Sequence, residues 1–306
     1  MNNHPQVSVI IPTYNRPHLI GRALKSVLNQ TYQNFEIIII DSSPDDKTEK
    51  AVKTFNERRI KYIHNKVKTN TSAARNQGVR ESSQNSKYIA FLDDDDEWLP
   101  QFLEKTVEVL EKKKDIVMAT SSWELRTRDG KRIRDDRYRI NFWEVPIGGG
   151  WVIRKEIFTK ENFWYDERLE VMEDFDLGVR VLRNHKWECV PEVSRIYFAI
   201  PLPNETTVSS AMPVKAIELF YKKNYSTYRR LGKKALGYFY FTMGKIFMRA
   251  GARKRGRSNL LKAFLTYSHP VHLFYYFLGL LDLFFPNLFR SVRLRIWKQK
   301  IFRGKI

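Results

Sequence analysis

The sequence predicts an α/β fold, a mostly parallel mixed sheet flanked by helices, with a basic α-helical region after it. Three observations predict this. Short apolar, β-branched runs at 7–12, 35–40, 60–64 and 88–92 alternate with helix-compatible stretches, the pattern of a parallel sheet with right-handed crossovers. Polar residues stand at successive run ends: Thr13, Tyr14 and Asn15, then Asp41, then Asp93 to Asp96. Charge divides the chain: residues 215–306 hold 21 of the 54 Lys and Arg against two acids, a net +19, whereas 1–214 come to +1.

Taken in order, VSVIIP (7–12) is a strand ended by Pro12. A helical pattern follows through Leu19, Ile20, Ala23, Leu24, Val27 and Leu28, with Pro17 suited to the first turn. FEIIII (35–40) is the second strand and ends at Asp41; a helix lies around 46–56 and a third strand near 60–64. Residues 71–78 open a helix or a loop. The fourth run, Tyr88 to Leu92, stops at four consecutive carboxylates. Ligands of open α/β sheets bind at the carboxyl ends of the strands. Four acids there repel one another unless a cation sits among them, and hard Mg²⁺ or Mn²⁺ is the simplest answer. The plainer reading is an acidic loop that caps a helix beginning near Trp98. Beyond it, 99–113 read as helix, 115–122 as strand, and Asp129-Gly130 as a hairpin turn. Residues 173–183 read as an amphipathic helix whose first turn is acidic.

One cysteine, Cys189, excludes an intramolecular disulfide and a multi-cysteine metal site. The N-terminus lacks a basic region followed by a long apolar core, so no signal peptide is expected. There is no G-x-G-x-x-G and no P-loop, so phosphate would be held by metal and a cation, with Arg75 the obvious one.

VSVIIPTYNRPHLIGRALKSVLNQTY, FEIIIIDSSPDD, SAARNQGV and YIAFLDDDDEW, in this order and spacing, resemble the family 2 nucleotide-sugar glycosyltransferases of the GT-A fold over residues 5–200. The resemblance implies that Pro12, Tyr14 and Asn15 line a nucleoside pocket, that Asp41 accepts from the base, and that Arg75 faces the diphosphate. Asp93 and Asp95 match the family's D-x-D, with Asp95 a metal ligand, Asp93 near ribose and metal, and Asp96 an additional member of the shell. The family's D-D-G-S-x-D is here Asp41-Ser42-Ser43-Pro44-Asp45-Asp46, lacking the second acid and the glycine. Read without the resemblance, Tyr14 is also a core-edge aromatic, Arg75 a surface helix residue and Asp41 a turn former. The resemblance also places a sugar- or acceptor-facing loop at Gly149, Gly150 and Trp151, with Trp151 either a stacking platform or part of the core. It makes Asp174 the catalytic base, supported by Glu173.

The domains expected are 1–210, catalytic, and 211–306, basic, aromatic and helical, joined by the Pro-, Ser- and Thr-rich 201–213. In the latter, 215–250 and 253–268 read as helices, and 263–289 carries no Lys or Arg. Pro270 and Pro286 bracket a stretch of about 22 Å as helix, short of the roughly 30 Å hydrocarbon core. Its basic flanks suit the cytoplasmic face of an anionic membrane, dipping in or lying on it, with a single span as an alternative. A soluble accessory domain is a further reading, and aromatics massed with leucine suit lipid better than nucleic acid.

The expectation is therefore an inverting, metal-dependent hexosyltransferase moving one sugar from a UDP- or GDP-sugar to a lipid-linked or surface-glycan acceptor. The family's processive members carry a Q-x-x-R-W motif and several membrane helices; neither occurs here, so a non-processive enzyme is expected. Alternatives are a polyprenyl-phosphate sugar synthase, or a non-catalytic membrane-surface or nucleic-acid binding protein on the same scaffold.

Overall fold

The computed structural model describes residues 5–127, 130–136, 150–198 and 213–282. The chain forms two compact units, Met1–Ala199 and Ile200–Ile306.

The first unit is built on β1 (Val7–Thr13), α1 (Ile20–Leu28), β2 (Phe35–Asp41), α2 (Lys47–Lys53), β3 (Ile60–His64), α3 (Thr71–Glu81) and β4 (Tyr88–Phe91). There follow β5 (Glu97–Trp98), α4 (Phe102–Lys112), β6 (Ile116–Arg126), β7 (Arg132–Asp136), β8 (Trp151–Arg154), α5 (Glu156–Thr159), α6 (Glu173–Leu182) and β9 (Lys186–Phe198). The sheet order is β3-β2-β1-β4-β8-β6-β9-β5, with β7 paired to β6. β3, β2, β1 and β4 are mutually parallel, and β8 joins β4 antiparallel, so the sheet is mixed.

Alternate side chains of each strand serve opposite faces. Val7, Val9 and Ile11 pack with α1 and α4 residues such as Leu24 and Phe102. Ile10 packs on the other face with Val79, Leu177 and Val181 of α3 and α6. Both faces are thus covered, which is why the strands read as unbroken apolar runs. Gly78 lets α3 lie on β1: a Cβ there would meet Ile10 Cγ2 at 2.4 Å. Pro12 lies beyond the β1–β4 register, where its missing N–H takes no ladder bond from β4.

The helix expected near Trp98 is not there. Glu97–Trp98 form β5 on the edge of β9, and the helix begins at Phe102. Residues 71–81 are a helix rather than a loop, capped by Asn70, whose side chain accepts from Ala73 N–H.

The second unit has α7 (Val214–Arg230), α8 (Lys233–Arg249), α9 (Arg253–Thr266) and α10 (Pro270–Leu281). The single helix expected over 215–250 is two, broken at Gly232 with φ +96°. Phe220, Phe239, Phe247, Met243 and Leu260 fill this unit's interior. Val271, Phe274, Phe277 and Leu281 of α10 remain 43–54% exposed. Among the described residues no helix is long and apolar enough to cross a membrane; Pro286 and 283–289 lie outside them.

Candidate active site

Parallel register brings three strand ends to one edge of the sheet. Thr13 lies opposite Asp41, and Leu92 N–H donates to Ile10 O, so the acid run starts beside the end of β1. The loop after β4 therefore hangs over residues 13–16. Asp94 accepts from Thr13 Oγ1 at 2.7 Å and from Arg16 Nη1 at 3.0 Å. The same Arg16 nitrogen reaches Asp95 Oδ2 at 3.2 Å, and Arg22 Nη2 donates to Asp95 O at 2.7 Å. Arg16 and Arg22 did not stand out in the sequence, and Asp94 did so only as one member of the acid run.

Arg75 is the centre of the arrangement, buried at 2% exposure. Its Nη2 donates to Asp93 Oδ1 at 2.7 Å. Its Nη1 donates to Glu173 Oε1 at 2.8 Å and lies 3.2 Å from Asp174 Oδ1. One guanidinium thus ties the end of β4 to the first turn of α6. Its Nε is buried without a hydrogen-bond partner among the described residues. Arg75 is not the surface helix residue of the plainer reading.

Burial and like charge act on the acids. Desolvation pushes Asp94 up to about 6 and raises Asp95, despite the opposing charge of Arg16. Asp96 goes well up, from burial first and then from Asp95 and Asp93. Asp93, Asp95 and Asp96 each offer a carboxylate oxygen, all within 4.8 Å of one another. Hard oxygen donors this close together fit a hard divalent cation such as Mg²⁺ or Mn²⁺. Asp174 is pushed up to about 7, by burial first and by Glu173 and Asp93, with Arg75 and the Tyr165 hydroxyl opposing. Tyr165 donates to Asp174 Oδ1 at 3.1 Å. Both contacts on Asp174 fall on Oδ1.

The remaining positions spread around this centre. Asp41 is fully buried; Ser43 N–H and Oγ donate to Oδ1, and the Tyr62 hydroxyl to Oδ2 at 2.5 Å. Ser43 Oγ also accepts from Asn15 N–H, so the serine replacing the usual motif stands between Asp41 and Asn15. Tyr14 is 40% exposed with the Lys68 ammonium 4.3 Å from its ring centroid. Asn15 takes φ +54°, a conformation that asparagine tolerates. Trp151 is the exception. It is 1% exposed among Ile10, Phe91 and Leu177, a core residue, and offers no face for stacking. Gly150 is buried, and a Cβ there would meet Arg195 Nη1 at 2.0 Å. Its glycine makes room for an arginine that donates to Ser121 O from Nε and Nη2. Gly149 lies outside the described residues.

The model of glycosyl transferase family 2 matches residues 8–160, half of the chain. The chain belongs to glycosyl transferase family 2. A relative in Escherichia coli, UDP-Glc:alpha-D-GlcNAc-diphosphoundecaprenol beta-1,3-glucosyltransferase, is 38% identical over 104 residues, 34% of this chain and 40% of that enzyme. The chain spans about two fifths of the first curated relatives it matches. Two solved neighbours show the GT-A fold. The mannosyltransferase PcManGT of Pyrobaculum calidifontis, in complex with GDP-Man and Mn²⁺, has a TM-score of 0.60 at 15% identity over 99% of this chain and 88% of that one. S. aureus TarS 1–349 with UDP-GlcNAc has 0.58 at 15% identity over 86% and 89%.

Proposed function

We propose that the chain is an inverting, metal-dependent, non-processive glycosyltransferase, taking one sugar from a nucleotide-sugar donor to a lipid-linked or surface-glycan acceptor. One observation carries the reading: Arg75 joins the metal-capable acid cluster to Asp174, so that donor and base meet on one guanidinium. The relative named above acts on a diphosphoundecaprenol-linked acceptor, and the solved neighbours hold UDP- or GDP-sugars. These set the classes to be tried.

Asp95, Asp96 and Asp93 would hold the cation, whose charge offsets that of the departing diphosphate. Asp174 removes the acceptor hydroxyl's proton as that oxygen attacks the anomeric carbon. Its position near neutrality suits a general base. Pro12, Tyr14, Asn15 and Asp41 border the nucleoside. Arg75, beside Asp93 and the cation it would help to hold, would lend its charge to the donor's phosphate. Residues 1–210 carry the chemistry. The helical region 211–306 associates with the cytoplasmic face of an anionic membrane, with the α10 residues in the interface and basic residues on headgroups.

The test is a thermal-shift screen of UDP-, GDP-, CDP- and dTDP-sugars with Mn²⁺, Mg²⁺ or chelator, since a ligand of the folded state raises its stability. A metal-dependent shift with one nucleotide is expected, absent in Asp95→Asn. Asp174→Asn should keep that shift and lose turnover by about 10²–10⁴-fold. Full turnover in Asp174→Asn would remove the base from this reading.

A further inference from the structure

Tyr165 belongs to none of the motifs that place the site. It lies between α5 and α6 and is 3% exposed. Its backbone is gripped on both sides by one side chain: Tyr165 N–H donates to Asn76 Oδ1, and Asn76 Nδ2 donates to Tyr165 O, each at 3.0 Å. Asn76 is the neighbour of Arg75 on α3. The phenol ring meets Phe91, the last residue of β4, edge-on at 5.4 Å between centroids. The Arg75 guanidinium lies 5.3 Å from the ring centroid. The hydroxyl then reaches Asp174 Oδ1. A ring clamped at its backbone and packed against two elements has little freedom left, so the position of its hydroxyl oxygen is fixed with it.

We propose that Tyr165 is a positioning residue for sugar transfer: its hydroxyl, with Arg75, pins Oδ1 of Asp174 and leaves Oδ2 as the oxygen that takes the acceptor's proton. This rests on the reading of Asp174 as base. The step balances. The acceptor O–H gives its proton to Oδ2, its oxygen bonds the anomeric carbon, and the bond from that carbon to the nucleoside diphosphate breaks with its electron pair. Tyr165 keeps its proton throughout; burial and the charge of Asp174 hold its phenol well above the ordinary range. Two adjacent residues of α3 thereby serve the base, Arg75 directly and Asn76 through Tyr165.

The test needs no substrate. Charged and titratable groups facing Asp174 are Arg75 from α3, Asp93 from the end of β4, Glu173 beside it, and Tyr165. With ¹³C-labelled aspartate carboxyls and chelator present, Asp174 is assigned by its loss in Asp174→Asn. Tyr165→Phe keeps the ring and drops only the donor, which favours the ionised carboxylate. The Asp174 midpoint should rise in Tyr165→Phe, by up to about one pH unit, the scale of one hydrogen bond to a charged group. In the unaltered protein the Tyr165 ¹³Cζ resonance, assigned through its Phe91 neighbour, should move with the Asp174 midpoint. An unchanged midpoint in Tyr165→Phe, or a Cζ resonance that stays still through neutrality, overturns the proposal. Turnover of Asp174→Asn judges the base reading alone, so the two failures are separate.

Discussion

At the centre of the N-terminal unit Arg75 and carboxylates are buried against one another, whereas among the described residues of the C-terminal unit most lysines and arginines are exposed and aromatic rings fill the interior. Arg75 and Arg195 are each 2% exposed, and Asp96 and Asp174 lie nearly as deep. Residues 1–214 are close to neutral, since nearly every base there has an acid to answer it. From 215 onward 21 bases face two acids, and Phe220, Phe239 and Phe247 make the core. The difference separates two uses of charge. Buried ion pairs are expensive to desolvate and add little stability over apolar packing, but they fix positions. An excess of surface bases over acids attracts an anionic surface at long range.

The largest expected effect tests the first use. Arg75→Met leaves Asp93, Glu173 and Asp174 without their shared cation. Removing one partner of a buried pair costs about 3–5 kcal/mol. That loss should show in denaturant midpoints measured with chelator, and Mn²⁺ should return part of it. A cost within about 0.5 kcal/mol, the size of an ordinary surface substitution, would mean that the carboxylates rearrange without the arginine.

Legibility in the sequence follows the same division between local and distant causes. β1, β2 and β4 were plain because strands buried on both faces need continuous apolar runs. α3 was ambiguous because its buried face mixes polar Ser72, Arg75 and Asn76 with Ala74, Gly78 and Val79, so no apolar stripe marks it. β5 exists only through pairing with β9, about a hundred residues on, so local pattern pointed to a helix cap instead. The break between α7 and α8 turns on a single glycine inside an otherwise helical pattern. At the site, the acid run and Arg75 could be read as motif elements. Their partners Arg16 and Tyr165 could not, because hydrogen bonds across 78 and nine residues leave no local signature. Trp151 was open between ligand platform and core, and only packing against Phe91 and Leu177 decides it.

A second, intermediate effect is the pH dependence of stability. Asp174 has its folded value raised to about 7 from 3.8. Between those values the folded state holds a proton that the unfolded state has released, so stability falls as pH rises from about 4 to about 7 and levels off above. Asp94, raised to about 6, and Asp96 act in the same sense. In chelator the thermal midpoint should therefore decline across this window. Asp174→Asn should flatten part of the decline without removing it. A decline from pH 4 to 7 as large in Asp174→Asn as in the wild type would mean that Asp174 ionises normally in the folded chain.

The smallest effect on the folded state, and the sharpest test of the second use of charge, is at α10. Phe274 and Phe277 are 49% and 54% exposed. Replacing both by serine should change stability by no more than about 0.5 kcal/mol each. Binding to anionic vesicles should suffer far more. If the exposed half of each ring enters lipid, roughly 1 kcal/mol is lost per ring, on the order of thirty-fold in partitioning for the pair. Salt should separate the contributions, because it screens the bases and spares the rings. Wild-type binding that persists at high salt but vanishes in the double variant assigns the anchor to α10. Binding that salt abolishes and serine leaves intact assigns it to the bases alone. No vesicle binding by either protein would make the C-terminal unit an accessory domain whose aromatic core is its own, and the acceptor would then have to be presented to the N-terminal unit without a membrane surface to hold it.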